Sequence, residues 1–433
     1  VPRFRQRLAH VPLDQGRPVW IDDPHFNVRY HLRHAGLPAP GSEEQLKNLA
    51  GRVFAQRLDR TKPLWELLLV DGLEGDRFAL IAKSHHALVD GISAVDITTV
   101  LFDSDPDAPA HAAPRRPWAP RPLPTPAQLL SDALLERATR PAEVARTARA
   151  VVRAPRHVLR SARDRLQSMG ALAFAGLTPA PPTPLNVKVG PHRRYTWVDA
   201  DLGELQRVKD ALGGSVNDAV LAVVAGALGR FLRHRGVDTD ELVLKALVPV
   251  SVRAESEQGA LGNEVAPMWA GLPVGIEDPV AQHAAIRDAT VEIDQGRNAV
   301  GARTLTELAG FASPTIMSQA ARLQQSQRSF NLVVTNVPGP QQPLYLLGRR
   351  LRALYPVVPL AGRQALGVAV LSYDGRLGFG LLGDYDALAD LDDLAGFLRT
   401  SIDALANGAS VPRRAARGRS STRARRPVAG TSR

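Results

Sequence analysis

Eight prolines fall within the 21 residues from Pro106 to Pro126. Each fixes its own φ and lacks a backbone donor, so neither a helix interior nor a central strand runs through them. The stretch predicts an extended connector that divides the chain into two bodies. The length agrees, since 433 residues is well above a typical domain of about 150. Hydrophobic residues at 44% and charged residues at 22% are ordinary globular values, so both bodies can bury a core.

There is no cysteine, which excludes disulfide scaffolds, thiolate zinc sites, iron–sulfur clusters and a Cys nucleophile. The absence suits a cytoplasmic protein. The net charge of +11 is unevenly spread. Residues 411–433 hold eight Arg and no acid, and residues 112–165 hold twelve Arg against four acids, which leaves the rest of the chain mildly acidic. Such blocks read as solvated or disordered interaction surfaces, suited to an anionic membrane as well as to a polynucleotide. Neither block interleaves aromatics as a base-stacking platform does, so no nucleic acid is expected. No stretch of about 18 uncharged apolar residues is present to span a bilayer.

Ser42 and Gln45 form a capping-box pattern ahead of a helical spacing of Leu46, Leu49, Val53, Phe54 and Leu58. Trp65–Val70, a turn at Asp71-Gly72, and Phe78–Ala82 read as a strand pair. Ile92, Val95, Val100 and Leu101 then read as a helix. Residues 127–168 have the spacing of a basic amphipathic helix or pair, either packed on the body or lying on a lipid surface. The second body begins near Tyr195. It is expected to hold an apolar helix over 215–234, a buried strand over 242–250, helices over 280–296 and 314–326, strands near 330–335, 366–373 and 376–383, and a last helix over 389–406. The tail from 411 is expected to be disordered.

The chemistry concentrates in His85-His86-x-x-x-Asp90-Gly91, between the second strand and a helix. An imidazole with a pKa of about 6.5 is largely neutral at pH 7 and accepts a proton. A nearby carboxylate either orients the ring or anchors the loop, and a purely structural pair is an equal reading. A metal site is disfavoured, because adjacent histidines rarely aim at one ion and no HExxH is present. Gly213-Gly214-Ser215 lacks the closing glycine of a nucleophile elbow. Gly378, Gly380 and Gly383 spell a dinucleotide fingerprint, but they follow an Asp374-Gly375 hairpin turn and alternate as a strand.

This motif resembles the HHxxxDG signature of the acyltransferase superfamily with the chloramphenicol-acetyltransferase-like fold. Four further pieces are in register: Pro63-Leu64-Trp65-Glu66, Ser215-Val216-Asn217-Asp218, Pro249-Val250-Ser251-Val252-Arg253, and Asn336-Val337-Pro338-Gly339-Pro340. Together they resemble the bacterial wax ester synthase/diacylglycerol acyltransferase family over about residues 1–408. Family members begin with a segment ahead of the Val1–Leu8 stretch, so the resemblance implies that the N-terminal half lacks its first piece here.

The resemblance implies an α/β fold of two similar halves, each a mixed sheet with helices, and a tunnel between them. The implied units are 1–104 and 195–410, joined by 105–194, with 411–433 as the tail. It implies acyl-CoA-dependent O-acylation of diacylglycerol or a long-chain alcohol, with no metal or prosthetic group. His86 is then the general base, His85 and Gly91 shape the loop, and Asp90 pairs with Arg253 away from the substrate. The alternatives are acylation of a polyketide- or peptide-associated hydroxyl, or a non-catalytic lipid-binding member. Asn217 and Asp218 are either a helix cap or a polar contribution to the site. Asn336 is either a turn residue or a site amide. Pro63, Leu64 and Trp65 either line the acyl path or belong to the core. The implied location is cytoplasmic, at the periphery of the inner membrane or a lipid droplet.

Overall fold

The structure is a computed structural model, and it describes residues 2–88, 101–109, 118–136, 179–251, 265–295, 329–360 and 362–410. The N-terminal half opens with a ribbon of β1 (Gln6–Ala9) and β2 (Val19–Asp22). It continues through a single turn, α1 (Val28–His31), then β3 (Leu32–Gly36), α2 (Glu43–Ala55), β4 (Trp65–Leu73) and β5 (Arg77–Ser84). β3 lies parallel to β4, and β5 pairs antiparallel with β4, making a mixed three-stranded sheet. α2 starts as its sequence predicts: Ser42 and Gln45 exchange side-chain and backbone hydrogen bonds in a capping box.

The expected turn at Asp71-Gly72 is corrected. β4 runs on to Leu73 and the chain reverses at 74–76. Gly72 has φ of +76°, and the pairing register shifts between Val70 and Leu73. The Asp-Gly pair therefore makes a bulge inside the strand. Gly75 and Asp76, both at positive φ, make the turn.

The larger half comprises β6 (Arg193–Asp201), α3 (Leu202–Leu212), α4 (Val216–His234), β7 (Val243–Ser251), β8 (Val265–Pro273), α5 (Pro279–Gln295) and β9 (Leu332–Val337). A small ribbon of β10 (Tyr345–Leu346) and β11 (Arg349–Arg350) follows, then β12 (Leu366–Tyr373), β13 (Arg376–Asp384) and α6 (Leu391–Ser410). Six strands form one mixed sheet in the order β6-β13-β12-β9-β7-β8, with β7, β9 and β12 parallel. α4 is apolar on nearly every side because it is the central helix, packed between the sheet, α5 and α6. Residues 126–136 are helical. The rest of the expected 127–168 helix, residues 89–100, the expected helix over 314–326 and the tail from 411 lie outside the described residues.

A second core joins the halves on the other face of the large sheet. Leu46 and Ala50 of α2, with Val70, Leu73 and Ile81 of the small sheet, pack against Tyr195, Trp197 and Leu382. Gly51 makes this approach possible, since a Cβ there would lie 2.8 Å from the Arg193 carbonyl oxygen. Two of the three dinucleotide-like glycines serve the same face, while Gly383 lies against Leu388 on the other. A Cβ on Gly378 or Gly380 would sit 2.1 Å from Leu354 O or 1.9 Å from Pro356 O, so these positions let the 354–356 segment cross β13.

Candidate active site

β5 delivers the histidine pair. Trp65 pairs with Ser84 at the end of the sheet, and one residue on the His85 N–H donates to Leu64 O at 2.9 Å. The chain then turns through a short 3-10 segment, His86–Leu88, closed by Leu88 N–H to His85 O at 2.8 Å and seated by the buried Leu88. The exposed His85 ring accepts the Ala87 N–H on Nδ1 at 3.2 Å, which leaves Nε2 to carry the proton in its neutral form. The backbone of His86 begins this turn. Its side chain lies outside the described residues, as do Asp90, Gly91 and Arg253, so the expected Asp90–Arg253 pair lies there too.

The Pro-Leu-Trp piece is bonded to the motif through its backbone. Pro63 and Leu64 are buried, and the Leu64 carbonyl is the one that holds His85. Trp65 sits in an aromatic stack: its indole N–H donates to Phe4 O at 2.8 Å, and its ring lies 4.6 Å from that of His31, nearly parallel. His31 is buried, with Nδ1 2.7 Å from Trp65 O, a contact that requires the proton on Nδ1. Burial is the main effect on His31 and lowers its pKa; the hydrogen bond to Trp65 O works in the opposite direction. Sequence reasoning passed over His31, which follows no periodic or motif signal.

In the larger half, Ser215 and Asp218 form a complete capping box at the start of α4. Asp218 Oδ2 accepts from the Ser215 N–H at 2.7 Å and its hydroxyl at 2.8 Å. Asn217, between them, is half-buried. Asn336 lies within β9, opposite Val370 of β12, so the turn-residue reading is corrected: the Pro-Gly turn begins after it. It shares its face of the sheet with Leu332 and Val334, both buried under the helices.

These pieces lie towards one end of the sheet. β7 and β9 are parallel, with Ala246 beside Leu332, so Ser251 and Asn336 both stand at strand C-termini. Near the far end of α4, Arg233 donates to the Val274 carbonyl, beside the start of β7. α4 has 19 residues, about 28 Å, which matches a nine-residue strand of about 30 Å. Its N-terminus, carrying Asn217, therefore points to the end where β7 and β9 finish. The halves also meet downstream of each motif, where Asp103 and Tyr345 exchange two backbone hydrogen bonds of 2.8 Å.

Two surface clefts are lined by none of these residues, so neither is the expected tunnel. One, of about 450 Å³, lies between β1, Arg60-Thr61 and the segment around Leu123–Leu129; the other, of about 320 Å³, lies between Ala35–Pro38 and α2. Among the described residues no cluster of His, Asp or Glu is built to hold a metal ion. No single described helix is long and apolar enough to cross a membrane. α3 and α4 reach that composition only together, bent by 101° and largely within the core.

The arrangement has relatives. The cyclization–docking bidomain EpoB from Sorangium cellulosum superposes with a TM-score of 0.50 at 12% identity, over 95% of this chain and 75% of that one. At that identity the likeness speaks for fold alone, and it puts the chain in the class of chloramphenicol-acetyltransferase-like two-part folds. Sequence narrows the class. Residues 1–220 match the family described as the wax ester synthase/diacylglycerol acyltransferase catalytic domain, and residues 261–406 match the corresponding C-terminal domain. A Mycobacterium tuberculosis protein named as a diacylglycerol O-acyltransferase is 35% identical over 396 residues, 90% of this chain and 76% of its own length. Another from the same organism, tgs1, is 33% identical over 91% of this chain and 82% of its own. The wax ester synthase/diacylglycerol acyltransferase from Marinobacter aquaeolei VT8 superposes with a TM-score of 0.66 at 28% identity, over 94% of this chain and 86% of that one. The chain belongs to the wax ester synthase/diacylglycerol acyltransferase family and is an acyltransferase.

Proposed function

We propose that the enzyme transfers the acyl group of a long-chain acyl-CoA to the hydroxyl of diacylglycerol or a long-chain alcohol, giving triacylglycerol or a wax ester. Family membership over both halves supports this, and one structural observation carries the assignment of the base. β5 ends in a histidine pair on a tight turn that a neighbouring carbonyl, Leu64 O, holds by its backbone. His86, on that turn, takes the proton from the acceptor hydroxyl as its oxygen attacks the thioester carbonyl. The tetrahedral intermediate then collapses, the C–S bond breaks, and His86 returns the proton to the departing thiolate of CoA. Positioned acid–base catalysis of this kind contributes roughly 10²–10⁴ in rate, and holding donor and acceptor together supplies the proximity gain.

Asp90 and Arg253 are assigned as an ion pair that fixes the loop, with Gly91 allowing close backbone passage and His85 orienting the turn through its Nδ1. Asn217 and Asn336, at the sheet end, offer amides beside the reacting centre. The reading needs no metal or prosthetic group, and acyl-CoA is a substrate. A water-insoluble acceptor places the enzyme at the surface of a cytoplasmic membrane or lipid droplet, which the Arg-rich stretches 112–165 and 411–433 suit. The test is incubation with labelled palmitoyl-CoA and, separately, diacylglycerol and hexadecanol, with products resolved by chromatography. Labelled triacylglycerol or wax ester is expected; free palmitate alone would sink the reading.

A further inference from the structure

His283, on α5, is fully buried, yet neither ring nitrogen has a hydrogen-bond partner among the described residues. An imidazole always carries an N–H, and native folds rarely leave a buried donor unmatched. A second unmatched group stands on α4, the helix against which α5 packs. Asp218 is buried too, and the capping box uses only Oδ2; Oδ1 has no partner among the described residues.

The two residues stand on helices that pack antiparallel. Gln282 Oε1 lies 3.1 Å from where a Cβ on Gly226 would be, and five residues later Arg287 Nη1 donates to Leu212 O at 2.9 Å. His283 and Arg287, four residues apart, share one face of α5. That face meets the turn leading into α4. A Cβ on Gly214 would lie 3.0 Å from Arg287 Cγ and 2.9 Å from Asp218 Oδ2. Burial is the main effect on His283 and lowers its pKa; the charge of Asp218 works in the opposite direction, and Arg287 reinforces the lowering. The turn itself needs support, because Gly213 and Gly214 both have positive φ, at 79° and 84°.

We propose that His283 is a positioning residue for acyl transfer, donating a hydrogen bond to Asp218 Oδ1 across one buried water, and so locking the turn that aims Asn217 at the sheet end. Asp218 then bridges two helices, with one oxygen bound by its own turn and the other by α5. The proposal rests on the acyl-transfer reading given above. It differs from a packing role, because an apolar side chain of similar size fills the space without making the bond.

The test compares His283→Leu, His283→Gln and Asp218→Asn by kcat and KM for palmitoyl-CoA with hexadecanol, alongside thermal melting. A displaced turn predicts that His283→Leu lowers kcat by roughly tenfold or more, with KM for the donor nearly unchanged. His283→Gln, which keeps a donor, restores most of that loss. A fully active His283→Leu protein, or a glutamine no better than leucine, overturns the proposal. A measurement independent of activity uses ¹⁵N-histidine NMR of the wild-type chain, which has 11 histidines. One slowly exchanging ring N–H is expected to be assigned to His283 by its absence in His283→Gln, and to exchange rapidly in Asp218→Asn. If it is unaffected by Asp218→Asn, the pairing is refuted even where the leucine variant does not fold. A wild-type enzyme that makes no ester counts against the acyl-transfer reading, while the NMR result still decides the pair.

Discussion

Replacing Trp65 with leucine separates two roles for the Pro-Leu-Trp piece, wall of the acyl path or anchor of the fold. The substitution removes the indole donor to Phe4 O, a neutral hydrogen bond worth about 0.5–1.5 kcal/mol. It removes the ring that stacks on His31, worth about 0.5–1.5 kcal/mol beyond the area it covers. Losing part of a half-buried aromatic surface adds about 1 kcal/mol. The expected destabilisation is therefore about 2–4 kcal/mol, enough to lower the melting temperature by several degrees. The bond that holds the histidine turn is made by the Leu64 backbone, which the substitution leaves in place. Activity per folded molecule should thus stay within about threefold, as expected of a side chain remote from the reacting atoms. A thiol reagent reads CoA release without background, because the chain has no cysteine. An unchanged melting temperature with a collapsed rate would refute the anchor reading and put the indole against the substrate.

Four further outcomes are expected. His86→Ala lowers kcat by roughly 10²–10⁴ with its melting curve retained; a variant keeping a third of the wild-type rate rules His86 out as base. Asp90→Ala and Arg253→Ala each destabilise by about 3–5 kcal/mol, and the double variant costs little more than either. Strict additivity in the melting data would dissolve that pair. The buried His31 and His283 have folded pKa values below the ordinary 6.5, so between the two values the unfolded chain binds more protons. Stability is full above about pH 6.5 and falls as the pH drops from there, and combined His31→Gln and His283→Gln variants should flatten the melting-temperature profile from pH 7.5 to 5. Deleting 411–433 should weaken flotation with anionic liposomes at low salt while sparing activity on detergent-dispersed substrate; unchanged flotation removes the tail from membrane docking.

The parts legible in the sequence are those written in local chemistry. Ser42 with Gln45 and Ser215 with Asp218 announce both helix starts, and the apolar run after Ser215 announces the central helix. Strands around an Asp-Gly turn are equally plain at β12 and β13, where Asp374 and Gly375 take positive φ. The same dipeptide misled at Asp71-Gly72. There β3 pairs alongside β4 as far as Asp71, and this longer-range partner carries the strand past the glycine. β8 escaped notice because it has no distinctive period, and its place comes from pairing with β7; α3 was passed over although Asp201 caps it and Leu205, Val208 and Leu212 follow at helical spacing. The candidate site divides in the same way. The histidine pair is a contiguous word, whereas Leu64 O, His31 and His283 matter through partners that lie far along the chain or on another helix.

Under the proposed acyl transfer, the cap of Ser215–Asp218 and its contribution to the site would be one device. A capping box ordinarily satisfies the free donors of a helix start at the surface, where water would serve nearly as well. Here the capping carboxylate is buried, and a charge withdrawn from water has to be held on both oxygens to be tolerated. One oxygen is held by its own turn, so the other demands a group from a neighbouring element, and α5 is the element that faces it. A helix start fixed from two sides has little freedom to shift, which is what a half-buried amide at the next position needs if it is to meet a transition state without reorganising. The same residues that stabilise the fold at this point thereby set the precision of the chemistry proposed beside it.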